Sequence, residues 1–85
     1  MITAGQLRAA RALLGIDQKT LAKRAGVSVP TVQRMEASIG NVRGIVGTLT
    51  KIVTALDASG IELIGDNVAS PSGGRGARLK APKTL

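Results

Sequence analysis

The stretch Gln18-Lys19-Thr20-Leu21-Ala22-Lys23-Arg24-Ala25-Gly26-Val27-Ser28-Val29-Pro30-Thr31-Val32-Gln33-Arg34-Met35-Glu36 decides the fold. Asp17, just before it, is a short acceptor suited to capping the amides of a first helical turn. Leu21, Ala22 and Ala25 then fall on one face at helical spacing. Ala22 is small enough for a second helix to cross closely. Gly26 accepts the positive φ of a tight inter-helix turn, and Val27 fills the space beneath it. Ser28 supplies the next cap, and Pro30 sits in the first turn, where a missing N–H costs nothing. Val32 and Met35 anchor that second helix inward. Val29, Pro30, Thr31, Gln33 and Arg34 are left on its outer side.

Working outward, Thr3-Ala4-Gly5-Gln6 has the spacing of a capping box, in which the Thr hydroxyl and the Gln amide serve each other's backbone. Leu7, Ala10 and Leu14, with Leu13 beside them, keep helical spacing until Gly15. On the far side, Ile45, Leu49, Ile52 and Leu56 recur at i, i+4, i+7 and i+11, with Val46 and Val53 widening the stripe and Gly60 as the C′ residue. The spacing therefore predicts an all-α fold of four helices over residues 1–60, with no internal repeat. A basic extension follows at 61–85. Within it, 61–64 and 77–80 read as short strands able to pair as a hairpin, with turn residues Gly65-Asp66-Asn67 and the Ser/Gly/Pro-rich stretch 70–76 between them.

Composition narrows the chemistry. In 85 residues there are twelve Lys plus Arg, five Asp plus Glu, no His, no Cys and no aromatic side chain, for a net charge of +7. Absent Cys and His exclude zinc fingers, thiol nucleophiles, Ser-His-Asp triads and disulfide frameworks. Absent aromatics remove the stacking platforms on which unpaired bases are read. The five acids are scattered and no phosphate-cradling glycine loop occurs, so an enzyme is not expected, nor any cofactor or metal. The charge is uneven: +4 over residues 1–40, −1 over 41–67 and +4 over 68–85. A near-neutral middle with basic ends suggests that the middle packs or dimerises while the ends meet a polyanion. A chain of this length buries only roughly 60% of its unfolded surface, which favours a partner subunit. No targeting run and no membrane span are visible, so a cytoplasmic location is expected.

The two-helix unit is a helix-turn-helix, a geometry that delivers one helix into a DNA major groove. Over residues 3–58 the chain resembles the phage repressor and Cro-like (XRE) helix-turn-helix family. The likeness is sharpest at Gln18-x-x-Leu21-Ala22-x-x-x-Gly26-Val27-Ser28 followed by Thr31-Val32-x-x-x-Glu36. It implies a lambda-repressor-like domain and a double-stranded DNA partner bound by a homodimer. Gln18 would hold a phosphate and the start of the third helix. Val29, Pro30, Thr31, Gln33 and Arg34 would face the bases, and Arg11 would pair with Glu36 as a structural bridge.

The chain also departs from that pattern. Val29 and Pro30 stand where polar readers are common and can meet only thymine methyl groups, so hydrogen-bonded readout falls to Gln33 and Arg34. Residues 61–85 replace the family's fifth helix, and their strand-like runs resemble the ending of a small bacterial subset. Expected phosphate contacts are Gln18, Lys19, Ser28, Asn41 and Arg43. Lys19, Lys23 and Arg24 also fit an ordinary solvated face. The resulting expectation is a sequence-specific regulator, a repressor before an activator. Two other readings stay open: an antitoxin-like protein that binds a partner through 61–85, and a protein-binding module that kept the fold without specific readout.

Overall fold

Thr3 Oγ1 accepts the Gln6 N–H at 3.0 Å and Gln6 Oε1 accepts the Thr3 N–H at 2.9 Å, so the first helix begins with a complete capping box. The computed structural model describes residues 2–40, 46–65 and 74–80. Its elements run α1 (Ala4–Leu14), α2 (Gln18–Ala25), α3 (Val29–Glu36), α4 (Val46–Ala58), β1 (Ile61–Ile64) and β2 (Gly76–Leu79). The caps do what the residue types require. Asp17 Oδ1 accepts the Thr20 N–H at 2.7 Å, and this bonding holds its carboxyl below the usual range. Ser28 Oγ accepts the Thr31 N–H at 3.2 Å. Gly26, at φ 71°, turns α2 into α3, a conformation that a Cβ would strain.

Every helix sends a side chain into one core. Leu7, Leu21, Val32, Met35, Ile52, Leu56 and, from the hairpin, Ile61 are fully buried. Around them α2 packs on α3 and α4, α1 packs on α3 and β2, and α4 packs on β1. The two strands pair antiparallel in the register Ile61↔Leu79, Glu62↔Arg78, Leu63↔Ala77 and Ile64↔Gly76. The hairpin is thus present, with its second strand starting one residue earlier than the pattern at 77–80 suggested. Gly76 has no side chain to alternate, so periodicity could not include it; its carbonyl is held from α1. Lys80 still donates its N–H to Gly60 at 2.7 Å beyond the strand's end.

The α4 stripe is narrower than expected. Leu49, Ile52, Ala55 and Leu56 are buried, but Val46 is 77% exposed and Val53 is 38% exposed. Val46 is the first residue of the helix and overhangs the core, while Val53 stands at the rim. Leu13 faces outward on the last turn of α1. Ile45 and the turn and loop residues 66–73 lie outside the described residues.

Candidate nucleic-acid interface

The end of α3 is held by one buried carboxylate. Glu36 keeps only 4% of its side chain exposed. Arg11 Nε donates to its Oε2 at 2.9 Å and Arg11 Nη2 to its Oε1 at 3.0 Å. Gln18 Nε2 adds a third donor to Oε1 at 3.2 Å. Burying a charge is unfavourable unless it is paired and its lone pairs are used, and three donors from two helices meet that condition. The Glu36 hydrogen bond pushes the Arg11 guanidinium pKa up, against the opposing effect of desolvation. Arg8 Nη1 donates to the Glu36 carbonyl, capping the same helix end. Beyond it, the Ala4 N–H donates to the Gly40 carbonyl at 2.9 Å, tying the turn after α3 to the start of α1.

With its end fixed this way and Val32 and Met35 buried, α3 has a rigid inner side and a free outer one. Pro30, Gln33 and Arg34 are exposed, and Thr31 is half-buried. Ser28, Thr31 and Arg34 form one ridge at i, i+3 and i+6. The Ser28 and Thr31 hydroxyls lie 2.7 Å apart, and Arg34 Nη2 rests 3.5 Å from Thr31 Oγ1. That last contact is long and leaves the guanidinium donors available. Val29 differs from the other four in packing against the core: like Thr31 it is half-buried, but its side chain is partly spent on that contact.

The polar residues flanking the ridge separate into groups. Ser28 and Lys19 are exposed. Gln18 opens α2, yet its amide reaches Glu36 at the end of α3 rather than the start of that helix. The Arg11–Glu36 bridge therefore has Gln18 as a third member. Arg24 turns toward α4, donating to Ser59 Oγ at 3.3 Å, which carries its charge away from the ridge. Asn41 and Arg43 lie outside the described residues. Among the described residues no group of three or more metal-ligating side chains occurs, and no helix is long and apolar enough to cross a membrane.

Two long-range contacts, those of Arg8 and Gln6, went unnoticed in the sequence. Arg8 carried a signal, since it precedes Arg11 by three and so shares its face of α1. Gln6 carried none beyond its cap: Nε2 also donates to the carbonyls of Ile64 and Gly76, at 2.9 Å each, across 58 and 70 residues.

A family model described as helix-turn-helix matches residues 7–63, a span that takes in most of α1, all of α2, α3 and α4, and most of β1. No curated protein matches the chain. With Arg11, Gln18 and Glu36 joined at the foot of α3 and the match covering well over half its length, the chain belongs to the phage repressor-like (XRE) helix-turn-helix family of DNA-binding transcriptional regulators.

Proposed function

We propose that this regulator is a sequence-specific repressor, acting in the cytoplasm as a homodimer on a pseudo-palindromic operator with α3 in the major groove. Half-sites would lie roughly 34–36 Å apart. One observation carries the reading: the outer side of α3 presents exposed Gln33 and Arg34 while its far end is locked through Glu36. A rigid support matters because base recognition depends on fixed donor geometry.

In this reading Arg34 donates to guanine O6 and N7, and Gln33 reads adenine beside Thr31. Pro30 and the outer part of Val29 touch thymine methyls. Gln18, Lys19, Ser28, Asn41 and Arg43 hold phosphates, supplying affinity and salt dependence but no sequence choice. Repression follows from occupying a promoter, which asks nothing further of so small a chain. The test is a titration of the protein against its own upstream DNA and a shuffled duplex at one fixed moderate salt. A preference of roughly a thousandfold or more is expected. Equal binding to both, or none, would refute sequence-specific readout at that site.

A further inference from the structure

One flank of the molecule is neither basic nor well covered. Val53, on the outer side of α4, stands next to half-buried Leu63 of β1. Two adjoining hollows of about 280 and 230 Å³ share these two side chains. Ile2 and Gln6 line the first, and Ile61, Glu62, Asp57 and Lys80 line the second. Ion pairs border the trough: Lys80 with Asp57, and Arg78 with Glu62 at 2.8 Å. In each pair the acid comes from α4 or β1 and the base from β2 or the residue just after it.

We propose that this Val53–Leu63 trough docks a second copy of the chain about a two-fold axis. The inference rests on the homodimer reading above and gives that dimer a surface. Charge chooses the occupant. Two chains of +7 repel wherever their basic parts meet, and residues 1–40 carry +4. Around the trough the two acids cancel the two bases, so apolar contact there meets no net repulsion. A polyanion has no reason to settle on a neutral apolar trough.

Sedimentation of the full chain without DNA tests the surface separately from the readout. The native chain is expected to dimerise, and Val53→Lys to weaken the dimer by roughly a hundredfold or more, since two like charges would face each other. Val53 is already partly exposed, and circular dichroism checks that the variant keeps its helices. Mixing Val53→Lys with Val53→Glu should restore dimers as mixed pairs. Leu79→Lys, more exposed but outside the trough, should dimerise as the native chain does. A monomeric native chain, an unaffected Val53→Lys, or loss confined to Leu79→Lys would each overturn the proposal. Specific operator binding by a monomer would overturn the surface and spare the readout. An intact dimer that binds all duplexes alike would do the reverse.

Discussion

Arg11 and Glu36, 25 residues apart in sequence, meet through two hydrogen bonds of 2.9 and 3.0 Å that seat the last residue of α3 on the middle of α1. Removing only the arginine strands a carboxylate whose side chain is 4% exposed. Arg11→Ala is therefore expected to cost about 3–5 kcal/mol, a large part of the stability of a small domain. Denaturant unfolding measures it. Replacing both partners with apolar residues, Arg11→Met with Glu36→Leu, should cost less than the single change, because no buried charge is left behind.

Arg34 contributes little to the fold, since its side chain is exposed and its contact with Thr31 is 3.5 Å long. Arg34→Ala should leave unfolding unchanged within experimental error. On the operator it should cost about 1–3 kcal/mol and relax the preference at one base pair. Competition binding with single-base variants of the site would reveal that pattern.

Lys19 is exposed at the start of α2. As a phosphate contact, Lys19→Ala should weaken operator and shuffled DNA alike and reduce the salt slope by about one. A loss restricted to the operator would contradict this role.

Gln6 uses its amide twice, accepting from the Thr3 N–H and donating to the Ile64 and Gly76 carbonyls. Gln6→Ala should cost about 1–3 kcal/mol through the lost cap and the unpaired carbonyls. Gln6→Glu keeps the acceptor for Thr3 but turns a negative group toward two carbonyl oxygens. Hydrogen exchange at the hairpin amides should then accelerate more for Glu than for Ala, with the α2 amides less affected.

Acid should loosen two elements by a common route. The Thr20 hydrogen bonds lower the Asp17 pKa, and Arg78 lowers that of Glu62. A carboxyl lowered in the folded state stabilises fully above its unfolded value, and that stability is lost as pH falls through the folded one. The loss therefore lies below the ordinary carboxylate range, on the acid side. In Asp17→Asn the side chain still caps α2 but does not titrate. Its thermal midpoint should fall less than that of the native chain as pH is lowered from neutral to roughly 2.

What could be read in advance was what neighbours in sequence decide. Thr3, Asp17 and Ser28 cap helices because their partners are three residues away, and Gly26 turns because the chain reverses there. Leu21, Val32 and Met35 are buried because spacing alone assigns their face. The family pattern added Arg11–Glu36, which no local rule supplies. Hidden were the contacts set by how elements finally stack. Gln18 reaches the end of α3 because of the angle between α2 and α3. Val46 is 77% exposed although the stripe includes it, and Gly76 pairs with Ile64 while Gln6 holds its carbonyl, a contact with no signature in composition. In the candidate site, the pattern marked the ridge residues, but only packing separated Val29 from Pro30 and turned Arg24 toward Ser59.

The Gln6 clamp also has a meaning in time. Seventy residues separate Gln6 from Gly76. At translation speeds of roughly 5–20 residues per second, the ribosome takes about 4–14 s to cover that interval. Throughout it the first turn of α1 waits with a side-chain amide that has no hairpin carbonyls to serve, although α3 has long been made. A newborn chain thus owns the outer ridge of α3 seconds before it owns the strand that closes the other side.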